Sequence, residues 1–500
     1  MESKNKPVDG LQDYLGHSSQ EHEVRVAKVK TMREQGIEPW PSLKHSTTTS
    51  KNILESFAEG DTTAHQLVGR VMTVRLHGKA AFVHLQDESG KLQLYIKEDL
   101  VGAQAFAQFE QFVDIGDILW LSGTVFKTQR GEISLRVSQW SLQSKCLHPL
   151  PEKFHGLTDV EVRYRQRYLD LICNTDSKNL LIKRSLVVQA VREFLNQRHY
   201  LEVETPMLHP IPGGAAAKPF VTHHNALGQD FYLRIAPELY LKRLVVGGLD
   251  RVFEVNRNFR NEGISTRHNP EFTMLECYTA HQDINYAMDL IESLTQFVMQ
   301  KIGADFKVQF GDHTLDFGKS FERISLHDAV KKYNNLSDAD VNEENIDAIL
   351  KSKRIALRKS DMNLQEKIYL LFEETVESQL IQPTFVTGFP IEVSPLAKRD
   401  PNNSDLASRS ELFVAGLELA NLFDELNDPF DQAERFHEQV KAQAAGDAEA
   451  HHYDADFILA LEHGLPPTVG FGIGIDRMVM LLTGTTTIKD VILFPTLKKK

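Results

Sequence analysis

Residues 251–278 read RVFEVNRNFRNEGISTRHNPEFTMLECY. Polar and apolar side chains alternate up to Arg260, a polar loop follows, and alternation resumes at Glu271, which predicts an antiparallel hairpin. One face of each strand would then carry polar and aromatic groups: Glu254, Asn256, Asn258 and Arg260 on the first strand, and Phe272, Met274, Glu276 and Tyr278 on the second. A salt-bridged surface toward solvent is the alternative, but it would leave Phe272 and Met274 in water. The hairpin is therefore a candidate binding surface.

A second unusual strand lies near the C-terminus, at residues 470–477 (GFGIGIDR). Gly470, Gly472 and Gly474 alternate, so one face of this strand carries no side chains. Bare backbone in a strand usually marks the close approach of a ligand or a neighbouring chain. Arg477 then leads into an apolar helix, where a guanidinium and backbone donors suit a polyphosphate.

A third segment joins a helix to a strand. Leu181, Val187, Val191 and Phe194 recur at helical spacing, and residues 200–206 (YLEVETP) alternate as a strand that ends at Pro206. Taken alone, this segment is ordinary scaffold.

The N-terminal third is organised differently. Residues 66–144 contain five short β-branched and aromatic runs with a helical interruption near residues 103–112, which predicts a small closed barrel of the OB-fold type. We predict a helical extension at 1–60, the OB-fold domain at 61–146, a linker at 147–178 and an α/β domain at 179–500. A helical insertion is expected near residues 340–380.

Composition sets the remaining limits. The 500 residues are 41% hydrophobic and 25% charged, as in an ordinary multidomain globular protein. We expect no signal peptide and no membrane span, and three scattered cysteines favour reduced thiols in the cytoplasm. A net charge of −13 permits contact with RNA through a local patch only.

Together the three segments resemble the signature motifs of class II aminoacyl-tRNA synthetases. Motif 1 would end at Pro206, motif 2 would be residues 259–262 (FRNE), and motif 3 would end at Arg477. With an OB-fold upstream, the order resembles the subclass for lysine, aspartate and asparagine. Residues 257–278, 235–242 (IAPELYLK) and 426–428 are similar to bacterial-type lysyl-tRNA synthetases in particular.

The resemblance implies a fold and a reaction. The fold would be α/β (α+β), with an N-terminal OB-fold barrel and a catalytic domain whose mainly antiparallel sheet is flanked by helices. The reaction would join L-lysine and ATP into lysyl-adenylate and then transfer the lysyl group to tRNA(Lys). Motif 1 forms a subunit interface in this family, so a homodimer is implied.

The resemblance also assigns nucleotide and metal sites. Arg260 and Arg477 would be catalytic, with Arg260 bridging the α-phosphate and the attacking carboxylate. The remaining ATP contacts would be Glu262, Arg267, His268, Asn269, Phe272 and Glu411, with Phe272 stacked on adenine opposite Arg477. Mg²⁺ would be held by Glu411 and Glu418, in one strand before motif 3; two surface carboxylates are the alternative.

Lysine would be selected by carboxylates and a phenol around its ammonium. The residues implied are Gly214, Ala236, Glu238, Arg260, Glu276, Tyr278, Asn421, Phe423 and Glu425. Residues 213–215 resemble a loop that closes over the amino acid. Leu422 departs from the family, where a smaller residue is common, and its side chain would either point away or crowd the substrate.

In the barrel, the resemblance places Phe82 on the central base of the anticodon, with Arg75, Gln93 and Glu132 at base edges. Without the resemblance, Phe82 would be assigned to the barrel core.

Three other functions stay open on sequence alone. An aspartyl- or asparaginyl-tRNA synthetase would need a cationic pocket, which Glu276 and Glu425 disfavour. A lysine ligase acting on protein would lack the barrel. A non-catalytic tRNA-binding protein would be expected to have lost Arg260, Arg477, Glu411 or Glu418, and all four are present.

Overall fold

A computed structural model describes residues 19–151, 157–444, 446, 450 and 452–498. The chain forms two compact units, Met1–Leu157 and Thr158–Lys500. Residues 1–18 of the predicted extension and 152–156 of the predicted linker lie outside the described residues. Among the described helices, none has both the length and the apolar character needed to cross a membrane.

The first unit is a five-stranded barrel with helices around it. Its elements are α1 (Gln20–Glu34), α2 (Ser50–Ser56), β1 (Ala64–His77), β2 (Ala80–Gln86), β3 (Lys91–Lys97), α3 (Glu98–Val101), α4 (Ala103–Phe112), β4 (Ile118–Lys127) and β5 (Ile133–Ser144). The barrel closes in the order β1-β2-β3-β5-β4. Inward residues alternate with outward ones along β2 and β3, and Phe106, Phe109 and Phe112 of α4 join the same core. The predicted OB-fold is confirmed.

The described part of the second unit begins with three helices, and its other helices lie between or after the strands. They are α5 (Val160–Arg165), α6 (Arg167–Cys173), α7 (Thr175–Asn196), α8 (Glu238–Val246), α9 (Ile284–Lys301), α10 (Leu326–Asn334), α11 (Ile346–Ser352), α12 (Leu364–Thr375), α13 (Pro429–Ala444), α14 (Ala455–Glu462), α15 (Ile475–Thr483) and α16 (Ile488–Val491). The structure therefore differs from the predicted linker at 147–178, because α5, α6 and the start of α7 lie within it.

The strands of this unit form a large sheet and two small ones. They are β6 (Leu201–Glu202), β7 (Leu208–His209), β8 (Val221–His224), β9 (Gln229–Leu233), β10 (Arg251–Phe259), β11 (Glu271–Ala280), β12 (Lys307–Phe310), β13 (His313–Asp316), β14 (Glu322–Ser325), β15 (Thr384–Pro390), β16 (Leu406–Val414), β17 (Leu417–Asp424) and β18 (Thr468–Gly474). The large sheet has the order β14-β15-β16-β17-β18-β11-β10-β6. Only its outermost pairs, β14 with β15 and β10 with β6, are parallel, which confirms the mainly antiparallel sheet.

Helices α7, α9 and α15 cover one face of the large sheet with a continuous apolar core. The strands contribute side chains that are at most 3% exposed: Phe253, Leu275, Cys277, Leu422, Phe471 and Ile473. Leu422 thus points into this core, away from its neighbours Asn421 and Phe423. The larger side chain at this position fills space under the helices and does not crowd the opposite face.

Two predicted strands take a different form. Within residues 200–206, only Leu201–Glu202 form a strand. Val203 N donates one further hydrogen bond to Phe253 O, and the chain then leaves the edge of the sheet toward Pro206. Residues 411–423 form a hairpin and not one strand. Ala415 and Gly416 both have positive φ, 53° and 66°, as a tight two-residue hairpin turn requires.

The predicted helical insertion lies between β14 and β15, where α10, α11 and α12 occur. Their apolar faces bury Ile346, Leu350, Ile368 and Phe372 against the edge of the sheet. The cluster includes Val386 of β15 and Phe413 of β16, so the insertion covers the second face of the sheet at this edge and leaves the face open over β11, β17 and β18.

Candidate active site and nucleic-acid-binding face

The open face of the large sheet carries the side chains that the sequence analysis singled out. Asn258 pairs with Phe272 and Glu254 with Glu276 across the hairpin, so the predicted antiparallel hairpin is confirmed and the two sets of side chains share one face. Gly472 lies between Glu276 and Asn421, and Gly470 lies between Tyr278 and Phe423. Because the two glycines carry no side chains, the sheet holds a depression between β11 and β17.

This depression is a cavity of about 430 Å³. Fifteen residues with predicted roles line it: Gly214, Ala236, Glu238, Arg260, Glu262, Arg267, His268, Asn269, Phe272, Glu276, Tyr278, Glu418, Asn421, Phe423 and Arg477. Two others, Glu411 and Glu425, do not reach its surface and lie behind it. The cavity also includes Met274 of the predicted hairpin face, and Arg409, which was missed from the sequence.

Three buried carboxylates surround one end of the cavity. Glu238, Glu276 and Glu425 are each at most 6% exposed. Burial, together with the charges of Glu238 and Glu254, raises the pKa of Glu276 to about 8. Burial raises the pKa of Glu238 and that of Glu425 as well. Buried carboxyl groups with raised pKa values ionise more readily beside a cation, so this region favours a cationic ligand.

Glu425 lies directly against the bare backbone of Gly470. A β-carbon on Gly470 would be 2.1 Å from Glu425 Oε1 and 2.5 Å from the ring of Tyr278. Among the described residues, no group donates a hydrogen bond to Glu425 Oε1. The glycine thus makes room for a buried acceptor that is ready for a donor from a ligand.

The segment that contains Gly213 and Gly214 closes the side of the cavity. Gly214 has φ +87°, and a β-carbon there would lie 3.1 Å from Glu238 Cβ and 3.2 Å from Ala236 Cβ. Both the backbone conformation and the close approach require glycine at this position. The loop thereby contacts the residues predicted to bind the amino acid.

Arg260 lies at the centre of the cavity wall. Its guanidinium carbon is 5.1 Å from the centroid of the Phe272 ring. Burial lowers the pKa of Arg260, and its Nε has no hydrogen-bond acceptor in the described part of the chain. A buried guanidinium with an unused donor is suited to an anionic ligand.

Arg477 and His268 meet at the mouth of the cavity. Arg477 Nη2 lies 3.0 Å from His268 Nε2, and Arg477 Nη1 donates to the Glu418 carbonyl at 2.5 Å. Burial and the neighbouring charges of Arg477 and Arg267 lower the pKa of His268. His268 is therefore neutral, and its Nε2 accepts from Arg477 while Nδ1 bonds Ser265 Oγ at 2.9 Å.

Asn269 lines the cavity and also bonds to the backbone. Its Nδ2 donates to the Glu271 carbonyl at 2.6 Å, and its Oδ1 accepts from Thr496 N at 3.1 Å. Both amide atoms are thus used by the backbone, although the residue lines the cavity. The contacts indicate that Asn269 fixes the loop to the C-terminal segment.

A second network, missed from the sequence, joins α7, β11 and α15 beside Phe272 and Arg477. Asp476 accepts from Thr273 N at 2.8 Å and forms an ion pair with Arg184 of α7. Arg184 also donates to Thr273 Oγ1 at 3.0 Å. Thr273 and Asp476 directly adjoin Phe272 and Arg477 in sequence, so this network sets the distance between those two side chains.

Glu411 and Glu418 lie on opposite strands of the β16–β17 hairpin. Glu411 forms a 2.5 Å ion pair with Arg409, and burial with the nearby charge of Glu418 raises the pKa of Glu411 to about 8. In the described part of the chain, no three His, Cys, Asp or Glu side chains are grouped around one position for a metal. Two carboxylates with hard oxygens fit a divalent cation that keeps other ligands from water or phosphate.

The barrel carries a polar and aromatic outer face. Arg75, Phe82, Tyr95 and Arg136 form one row across β1, β2, β3 and β5. Phe82 points outward between buried Ala81 and Val83, so the assignment to the core is excluded. The Phe82 and Tyr95 rings are 5.1 Å apart.

A second row adjoins the first and contains the other predicted contacts. Gln93 donates to Ser134 Oγ at 2.9 Å, and Glu132 lies 3.4 Å from His84 Nε2. Half-buried rings on an outer face, beside hydrogen-bonding side chains, suit unpaired bases.

Comparison with known proteins agrees with this geometry. Residues 159–498 match the family model described as tRNA synthetases class II (D, K and N), and residues 65–142 match the OB-fold nucleic acid binding domain. The chain therefore belongs to the class II tRNA synthetases of the D, K and N group.

Within that group, its relatives carry one name. The chain is 51% identical to a Lysine--tRNA ligase of Syntrophomonas wolfei over 95% of this chain and 97% of the relative. It is 50% identical to the heat-inducible Lysine--tRNA ligase of Escherichia coli K12 over 95% of each chain. It is 54% identical to a Lysine--tRNA ligase of Nitrosomonas europaea over 87% of each.

Proposed function

We propose that this chain ligates L-lysine to tRNA(Lys) with ATP. The lysine carboxylate attacks the α-phosphate of ATP, pyrophosphate leaves, and lysyl-adenylate forms; the 3′ end of the tRNA then takes the lysyl group. Relatives named Lysine--tRNA ligase that are about half identical over nearly the whole chain support this function. The observation that carries it is the group of three buried carboxylates at one end of the cavity that Arg260 lines.

The amino-acid end of the cavity supports lysine over aspartate. Glu238, Glu276 and Glu425 attract ammonium groups, and the Tyr278 phenol adds a hydroxyl, while a side-chain carboxylate would meet repulsion. Phe423 and Asn421 complete the wall, with the ring beside the aliphatic chain. We assign Gly214 and Ala236 to the loop side of the same subsite.

The nucleotide end supports catalysis by positioning. Two anions have to meet, so preorganised cations lower the barrier more than any proton transfer would. Arg260 would contact both the carboxylate and the α-phosphate, since its Nε is buried and unused. Arg477, Arg267 and His268 would hold the outer phosphates, with Phe272 on the adenine and Glu262 near the base.

We propose that Mg²⁺ binds between Glu411 and Glu418. Their oxygen donors and their approach across one hairpin support a site shared with the nucleotide phosphates. When bound, the ion would neutralise phosphate charge. Arg409, paired with Glu411, would hold that carboxylate in position.

We propose that the outer face of the barrel binds the anticodon, with 61–146 as the boundaries of that domain. Stacking on Phe82 and hydrogen bonds from Arg75, Gln93 and Glu132 would recognise unpaired bases. The row of outward side chains supports this role.

We also propose a homodimer in the cytoplasm. Large apolar side chains are exposed on and beside α7, including Ile182 (48%), Leu186 (40%) and Leu201 (51%), which supports an interface there. Light scattering should give twice the chain mass of 56.8 kDa. An Ile182→Glu variant should lower it to a single chain, and a monomeric wild type would refute the dimer.

The test of the proposed function is amino-acid-dependent ATP–pyrophosphate exchange. Lysine, aspartate, asparagine and a blank are compared, with Mg²⁺ and with a chelator. Exchange with lysine alone, lost on chelation and in Arg260→Ala, is expected. Exchange with aspartate or asparagine would overturn the assigned amino acid, and folded wild type without exchange would overturn the ligase function.

A further inference from the structure

Lys242 of α8 is an internal lysine held by two of the three pocket carboxylates. Its side chain is completely buried. Its Nζ donates to Glu238 Oε1 at 2.6 Å and forms an ion pair with Glu425. The rings of Phe423 and Phe457 flank it, with centroids 5.5 and 5.8 Å from Nζ. The chain thus places its own ammonium where the carboxylates for the substrate meet.

The surrounding charges explain why a cation is needed there. Two of the nearby arginines are already engaged: Arg234 pairs with Glu254 at 2.7 Å and Arg409 with Glu411 at 2.5 Å. Glu276 accepts only a long contact from the Tyr278 hydroxyl, at 3.4 Å. When all three are ionised, Glu238, Glu276 and Glu425 carry two negative charges more than Lys242 neutralises.

Those two charges match the substrate. L-lysine carries two ammonium groups at neutral pH, and its carboxylate is left for Arg260. An amino acid with a neutral or anionic side chain would leave at least one buried carboxylate without a counter-charge, which is costly. With Lys242 in place, the two remaining negative charges of the ionised pocket balance the two ammonium groups of lysine.

We propose that Lys242 is a positioning and specificity-determining residue. It neutralises one of three buried carboxylates, and it holds Glu238 and Glu425 in place for a substrate with two ammonium groups. This inference rests on the proposed lysine ligase function. Lys242 does not contact the reacting atoms; it acts through the two glutamates.

The proposal also implies a pH effect. Burial alone would lower the pKa of Lys242, but Glu238 and Glu425 outweigh it and raise that pKa. Without Lys242, the pKa of Glu238 and that of Glu425 would rise further, because the charge of Lys242 lowers both, and lysine would have to displace more bound protons. The charged and titratable groups that also face this region are Glu276 and Tyr278 of β11, Glu254 of β10, Arg409 of β16, Asp424 of β17, and Arg234 and Arg260.

The test measures KM for lysine and for ATP in the exchange reaction of Lys242→Met, from about pH 7 to pH 8.5. We expect the lysine KM to rise about tenfold or more at pH 7 and to fall more steeply with pH than in the wild type. The ATP KM should stay within about twofold. Concentrations are corrected by active-site titration, so that a loss of folded protein does not count as weaker binding.

A matched control exists in the barrel. Lys145 is also completely buried and lies between two carboxylates, Asp114 and Asp117, at 2.5 and 2.7 Å. Lys145→Met should cost similar stability and leave the lysine KM of the exchange reaction unchanged. Lys242→Gln, which keeps a donor but no charge, should behave as Lys242→Met, and Lys242→Arg should restore the pH profile of the wild type.

The outcomes separate the inference from the function on which it rests. A lysine KM within about twofold of wild type at every pH, in Lys242→Met or Lys242→Gln, would overturn the inference. An equal rise of the ATP KM, or the same lysine effect in Lys145→Met, would overturn it too. Absence of lysine-dependent exchange in the wild type would instead overturn the proposed function.

Discussion

Gly470 offers the sharpest test of the pocket, through the substitution Gly470→Ala. The new β-carbon would lie 2.1 Å from Glu425 Oε1 and 2.5 and 2.8 Å from ring carbons of Tyr278. Both side chains are at most 3% exposed, so neither can move without shifting its surroundings. Overpacking of this kind costs about 1–3 kcal/mol of stability.

The effect on binding follows from the same displacement. A hydrogen bond to a charged group contributes about 1.5–3 kcal/mol, so moving Glu425 or Tyr278 away from the substrate ammonium should raise the lysine KM roughly 10- to 150-fold. The ATP KM should hardly change, because the contacts of Arg477 and Phe272 lie at the other end of the cavity. Pyrophosphate exchange with each substrate titrated separately measures both values.

Gly474→Ala is the matched control on the same strand face. Its β-carbon would meet only the Arg477 side chain, at 3.7–3.8 Å, which is ordinary contact. Its lysine KM should stay near wild type. If Gly470→Ala binds lysine as tightly as Gly474→Ala does, the assignment of Glu425 and Tyr278 to the ammonium is wrong.

Three further predictions concern other parts of the molecule. Because burial raises the pKa of Glu276 to about 8, its neutral form stabilises the fold relative to the unfolded chain, and this contribution is lost as pH rises from about 4.5 to 8. The melting temperature of Glu276→Gln should therefore exceed that of the wild type, by a difference that grows up to about pH 8. Lysine binding to the wild type should release protons in calorimetry at neutral pH. A melting difference that does not grow with pH would contradict the raised pKa of Glu276. Arg184→Met leaves Asp476 buried without its cation. The KM for ATP should rise about tenfold, and the KM for lysine should change little. Equal changes in both KM values would mean general destabilisation. Phe82→Ala should weaken tRNA(Lys) binding by about 1–3 kcal/mol without altering pyrophosphate exchange, and unchanged tRNA affinity in a filter-binding assay would remove Phe82 from the interface.

The sequence by itself determined the local features of the site. Alternation with a period of two predicted which side chains of residues 251–260 and 271–278 share a face, and the cross-strand pairing places both sets on the same face. The alternating glycines of β18 indicated the bare strand under the cavity. Such features follow from neighbours a few residues apart, because strand geometry repeats over short distances.

Only the tertiary structure decided which groups meet across long sequence separations. The direction of Leu422, the hairpin that brings Glu418 back beside Glu411, and the bonding of Asn269 to Thr496 depend on packing between distant elements. The spacing of four between Glu238 and Lys242 suits a helical ion pair, but it says nothing of Glu425. That contact forms because the fold buries α8 against the end of β17, where an unpaired carboxylate would be too costly.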